Sequence, residues 1–242
     1  MTRVSADGQI IQSGFSILGQ YARFAESFIN MIWTNGGEYI DSNGGLYLDQ
    51  PPAIETLEYL TRMSAEGLFS FDNHLRNGKG AMTVTPTFWR AQIAAQQPHD
   101  IEFIRTSLMP VNKGKHAAIQ YGWGLFVSSQ SKNKEIAWDF VRWLTMEKAN
   151  NGFTRMSESL MSMPNNRLDL GRKEYLDDPF FAGFIDGLEV LRSEPALPQQ
   201  AQRQQAIYQT LRPVILGTTP VSQGIADVML KLENILKEAG VR

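Results

Sequence analysis

Cysteine is absent from the 242 residues, which rules out a disulfide framework and thiolate chemistry alike. Histidine is nearly as scarce: His74, His99 and His116 stand far apart, without the spacing of a metal site. No charge of one sign dominates. The net charge of −2 gives no field favouring nucleic acid or an anionic membrane. No apolar run approaches the ~20 residues of a membrane-spanning helix. The opening "MTRVSADGQIIQSGF" has no apolar h-region, so the chain as written shows no secretory signal peptide. Nucleotide and hydrolase signatures are missing too: there is no P-loop, no dinucleotide glycine pattern and no GxSxG. What remains is a chain with 43% hydrophobic and 20% charged residues, an ordinary globular balance. At this length it can bury about 70–75% of its unfolded surface.

The patterning predicts mixed α/β structure with helices grouped toward the C-terminus. A turn at Asp7-Gly8 leads into a short strand. Phe24, Phe28 and Ile32 predict a helix from Arg23 to Asn35, stopped by Gly36-Gly37. Pro51-Pro52 starts a second, with Ile54, Leu57, Leu60 and Met63 on one face as far as Gly67. Strand-like segments follow at Gly80–Thr85, after the Asn77-Gly78 turn, and at Ile101–Pro110 and Ala117–Ser129. Further helices are expected after a cap at Ser131 or Asn133, after Asp178-Pro179, over Gln199–Leu216 and after Thr219-Pro220. The first of these carries Ile136, Ala137, Phe140, Val141 and Leu144 as an apolar stripe.

Acid–base catalysis finds little support. Glu55, Glu58, Glu135, Asp139 and Glu233 lie on helix faces, where solvation accounts for carboxylates. The aromatics are more informative. Phe88 and Trp89 follow Thr85-Pro86-Thr87 at a strand–helix junction, where large rings either lock the turn or face a cleft. In "QYGWGLF", Gly122 and Gly124 flank Trp123. Glycine inside a strand marks a bend or a close approach of a ligand, and a ring beside bare backbone can stack on the C–H face of a sugar. The alternative is that Trp123 fills the gap left by two glycines.

Four segments in order, "IWTNGGEYIDSNG", "LRNGKGAMTVTPTFWRAQI", "YGWGLFVSSQSKNKEIAWDFVRWL" and "VILGTTPVSQGIADVMLKL", resemble the extracellular solute-binding proteins of ABC importers. This is the sugar-binding family that includes maltose-binding protein. The resemblance runs from about Asp7 onward. It implies a periplasmic-binding-protein-like α/β fold, mostly the C-terminal lobe with a helix-rich C-terminus, and a solute held in an interlobe cleft. Residues 1–115 would be the first part of that lobe and 166–242 its closing helices. Residues 116–165 would return to an N-terminal lobe that the resemblance implies is missing here, and their apolar stripe, with Trp138 or Trp143, would then face solvent. The resemblance further implies ligand contacts from Glu26, Phe88 or Trp89, Tyr121, Gly122 and Trp123. The ligand would be a carbohydrate or polyol, and the partners the membrane subunits of an ABC permease. The location would be periplasmic or cell-surface. No catalytic residue, metal or cofactor is implied, and no nucleic acid. The rival expectation is a fragment of a glycan-processing hydrolase, which would need two carboxylates facing one pocket at roughly 5–10 Å.

Overall fold

In a computed structural model, residues 2–8, 10–71, 75, 79–148 and 153–241 are described. His74 and the Asn77-Gly78 turn fall outside them. The chain divides into two compact units, each assembled from separate stretches of sequence.

The first unit comprises Met1–Val84, Leu108–Gln120 and Val190–Arg242. Its sheet is built on β2 (Ile10–Ser16). The N-terminal half of β2 pairs antiparallel with β1 (Arg3–Val4). Its C-terminal half pairs in parallel with β3 (Phe69–Ser70) and β4 (Gly80–Thr83). Two helices lie between β2 and β3 in sequence, α1 (Tyr21–Thr34) and α2 (Pro51–Ala65). In α1 the residues Phe24, Phe28, Ile29 and Ile32 recur at three- and four-residue intervals. All four are fully buried, with the rings of Phe24 and Phe28 stacked 5.8 Å apart. The helix stops where Gly36 takes φ +82°. Gly37 N–H then reaches Ile32 O and Gly36 N–H reaches Trp33 O, each at 3.0 Å, which satisfies the last carbonyls.

The other stretches of this unit supply β5 (Ala118–Ile119), β6 (Leu191–Arg192), and the two long C-terminal helices α9 (Gln200–Ile215) and α10 (Val221–Glu238). β5 and β6 pair in parallel. Helix α9 packs on α1 and α10, burying Ile207, Leu211 and Val214 against Val228 and Leu232 in one continuous core.

The second unit comprises Thr85–Ser107 and Tyr121–Glu189. It holds α3 (Trp89–Gln96), α4 (Lys134–Thr145), α5 (Arg155–Leu160), α6 (Arg167–Leu170), α7 (Lys173–Leu176) and α8 (Ala182–Gly187). Its core is largely aromatic. Phe153, Tyr175, Phe181 and Phe180 follow one another with ring centroids 4.9–5.9 Å apart. Asp169 ties this core to a helix start by accepting from Thr154 N–H and the Asn166 amide. Burial pushes its carboxyl up, but these bonds and the hydroxyls of Thr154 and Ser157 outweigh that and hold it below the usual aspartate value.

Two expected strands need correction. Ile101–Pro110 forms a single 3-10 turn at Ile101–Phe103 and then runs as irregular chain. Of Ala117–Ser129, only Ala118–Ile119 is a strand. Both segments have the β-favouring composition, but among the described residues no strand pairs with them beyond the two residues of β5 that meet β6, and a ladder needs two. The helix expected after Asp178-Pro179 is also shorter than its apolar pattern. It tightens into a 3-10 turn at Leu188–Val190, and Leu191 goes to β6. Residues 116–120 belong to the first unit and 85–107 to the second.

Candidate functional site

Thr85-Pro86-Thr87 makes a turn from which Trp89 N–H reaches Pro86 O and Arg90 N–H reaches Thr87 O, both at 3.2 Å, so α3 starts at once. The Thr87 hydroxyl lies 2.7 Å from that of Ser162, and Arg90 Nε donates to Asp178 Oδ2 at 2.7 Å. The junction is thus fixed on both sides within the second unit. Its two rings part company here. Trp89 is only 2% exposed and packs as a wedge in the unit's interior. Phe88 is half-buried, and its ring lies 6.4 Å from that of Trp123, inclined by 50°.

Trp123 is 80% exposed, so it does not fill the space left by its neighbouring glycines. A side chain at Gly122 would meet nothing within 4 Å, while one at Gly124 would press on the Phe126 ring. Tyr121, before Gly122, is also exposed. The second unit therefore brings Phe88 and Trp123 together as an aromatic pair beside open backbone at Gly122. Such a pair offers an apolar surface large enough to stack on a sugar ring.

Glu26 belongs to the first unit. It sits on α1, largely buried, and pairs with Arg23 one turn earlier. Burial raises its carboxyl above the usual glutamate value, Arg23 opposes the rise, and the Glu194 carboxylate adds to it. Glu194 is itself buried. Its Oε1 accepts from the amides of Gln200 and Gln204 at 3.3 and 3.4 Å, and its Oε2 lies 4.0 Å from Nη2 of Arg203. Arg203 is completely buried, and its Nη1 donates to the carbonyls of Leu197 and Pro198. Tyr39 shares this polar cluster; burial pushes its hydroxyl above the usual tyrosine range, with Arg203 opposing.

Sequence reasoning passed over Glu194, Arg203 and Gln204, because "SEPALPQQAQRQQ" reads as a polar helix start. One signal was available. Arg203 precedes Ile207, Leu211 and Val214 on the same face of α9, and a charge on an apolar stripe is a buried charge.

Among the described residues no group of three His, Asp or Glu side chains could hold a metal ion. No helix among them is long and apolar enough to cross a membrane.

The profile of bacterial extracellular solute-binding proteins matches residues 22–151, more than half of the sequence, and the chain belongs to that family. It is 22% identical over 235 residues to a Brucella abortus (strain 2308) chain whose name marks it as a binding protein, covering 93% of this chain and 56% of the relative. The chain thus spans little more than half the length of the curated relatives it matches.

Solved structures share the fold at low identity. Maltose-bound MalE3 of T. maritima superposes with a TM-score of 0.79 at 15% identity, over 93% of this chain and 61% of that one. The GacH receptor of Streptomyces glaucescens GLA.O, solved unliganded and with acarbose, gives 0.78 at 16%, over 93% and 60%. An ABC transporter solute-binding protein of Thermotoga lettingae TMO, bound with α-D-tagatose, gives 0.77 at 20%, also over 93% and 60%.

Proposed function

We propose that this chain is a carbohydrate-binding component of an ABC importer, holding a saccharide or polyol in the periplasm or at the cell surface for delivery to the permease's membrane subunits. The observation that carries the reading is the Phe88–Trp123 pair. Two large rings meet at 6.4 Å, and one of them is left 80% exposed. Keeping a tryptophan ring in water forgoes about 1.5–3 kcal/mol of burial, and an aromatic surface of this kind suits the C–H face of a sugar. Two further supports are membership of the solute-binding family and the sugars in the similar structures: maltose, tagatose and the oligosaccharide acarbose. The protein binds and releases its ligand without chemistry on it.

The test is a calorimetric panel of maltose, tagatose and acarbose, run on the wild type and on Trp123→Ala. Loss of the ring should weaken the best ligand by about 1–3 kcal/mol, the scale of one large apolar contact. No reducing end should be released from any of the three. Binding untouched by Trp123→Ala would take the ring out of the site, and turnover lost with a single carboxylate would replace the binding reading by the hydrolase one.

A further inference from the structure

The first unit holds a cavity of about 410 Å³ between the end of α2, strand β3 and the C-terminal half of α9, walled by residues of that unit. Sites for small molecules span about 300–1,000 Å³, so the space suits a ligand of one or two rings. Tyr208, Arg212 and Leu216 follow one another at four-residue spacing and line one face of α9, beside its buried Ile207, Leu211 and Val214. The rest of the wall is largely aromatic. The Phe69 and Phe71 rings meet edge to face at 4.9 Å, and those of Phe71 and Tyr208 at 6.3 Å. Gly19 pins two of these residues through its backbone. Its N–H donates to Phe71 O at 3.0 Å, and its carbonyl accepts from the Tyr208 hydroxyl at 2.9 Å.

The polar groups of this wall are mostly donors. Arg212 makes no ion pair among the described residues, and its guanidinium carbon lies 5.5 Å from the centre of the Phe71 ring. A cation–π contact engages the face of the ring and consumes none of the five guanidinium N–H donors. The Ser64 hydroxyl, in the last turn of α2, also has no hydrogen-bond partner among the described residues. No carboxylate or side-chain amide lines the cavity. A cation in the last turn of a helix complements its dipole, which accounts for Arg212 but not for the aromatic cavity beside it. A saccharide's hydroxyls would lack the carboxylate and amide acceptors they need here. An anion with a flat apolar body matches both halves, its carboxylate on the guanidinium fork and its ring against Phe71 and Tyr208.

We propose that the first unit binds a small aromatic carboxylate of the benzoate or cinnamate kind in this cavity, with Arg212 as the partner of the carboxylate. The site uses no residue of the Phe88–Trp123 pair and is independent of which solute the protein transports.

The probes are trans-cinnamate and its uncharged isostere cinnamamide, each titrated calorimetrically into the full 242-residue chain. Cinnamate should bind saturably and at least about tenfold more tightly than cinnamamide, the scale of a hydrogen bond to a charged group. Arg212→Gln should abolish that preference by weakening cinnamate alone. Arg212 is exposed, so the variant should keep the circular dichroism of the wild type. Acetate, which has the charge without the ring, should not displace cinnamate. In the wild type, the Leu216 methyl resonances should shift with cinnamate and level off at the calorimetric saturation point. The proposal is overturned if neither probe saturates, if acid and amide bind alike, or if Arg212→Gln leaves the cinnamate affinity unchanged. Saturable binding that leaves the Leu216 methyls unmoved would place the ligand elsewhere and overturn it too. Displacement by acetate would do the same, by reducing the site to an anion contact.

Discussion

Phe88 and Trp89 are adjacent in sequence and opposite in environment, and the difference predicts opposite responses to truncation. Trp89 is walled in by the second unit, so Trp89→Ala removes a buried ring and leaves a cavity. It should cost about 3–5 kcal/mol, read as a lowered denaturant midpoint. Trp123→Ala should shift that midpoint by less than about 1 kcal/mol, because an exposed ring loses little on removal. Equal losses would mean that Trp123 is also part of the packing.

Glu26 predicts a pH dependence with a definite sign. Its carboxyl is raised above 4.5 in the folded chain, chiefly by burial, so the folded state takes up the proton more readily than the unfolded state. The favourable contribution is present in full below 4.5 and is lost as pH rises through the raised value. Glu26→Gln has no such titration. The stability of the wild type relative to Glu26→Gln should therefore fall between acid and neutral pH, which melting curves of both proteins across that range would show. A difference constant with pH would remove burial as the cause. At this scale the sequence was legible where an unusual neighbour announced the residue, as the glycines did for Trp123. It was opaque for Glu194 and Arg203, whose partners meet only after the loop before α9 has closed over them.

Among the elements, the helices of the first unit were the most legible. Their stop signals are local: Gly36, Gly67 and Gly217 each adopt the left-handed backbone at a helix end, a conformation that glycine takes without a steric penalty. Strands were less so, because a strand is a statement about its neighbour. "AAIQYGWGLFVSS" has the composition of a strand, yet only two of its residues find a ladder.

Helix α10 holds a glycine of a different kind. A side-chain carbon at Gly224 would stand 2.2 Å from Val214 Cγ2 on α9, so the two helices approach closely because that carbon is missing. Glycine to alanine inside an unpacked helix normally gains about 1 kcal/mol. Here Gly224→Ala should instead lower stability, by about 1–3 kcal/mol as overpacking forces the helices apart. The sign of the change in denaturation midpoint is the test, and a gain would show that α9 and α10 yield without cost.

At the scale of the whole molecule, the mixed α/β class and the helix-rich C-terminus were readable from periodicity. The division into units was not. Segments remote in sequence are gathered into each unit by packing, and the apolar pattern of one helix does not name the helix it meets. The two units have separate cores of different make. The first buries an extended aliphatic and aromatic set across α1, α2, α9 and α10. The second has short helices around Trp89, Ile93, Phe153, Tyr175, Phe180 and Phe181, and leaves α4 largely uncovered. Less apolar surface withdrawn from water means less stabilisation to set against chain entropy, so the second unit should unfold first. Calorimetry should resolve two transitions, since separate cores break the all-or-none behaviour of a single domain. Tyr175→Ala should lower the first transition and leave the second in place. Leu211→Ala should lower the second, by the 2–5 kcal/mol or so that a buried leucine contributes. A single cooperative transition, moved equally by both substitutions, would show that the two cores form one thermodynamic unit.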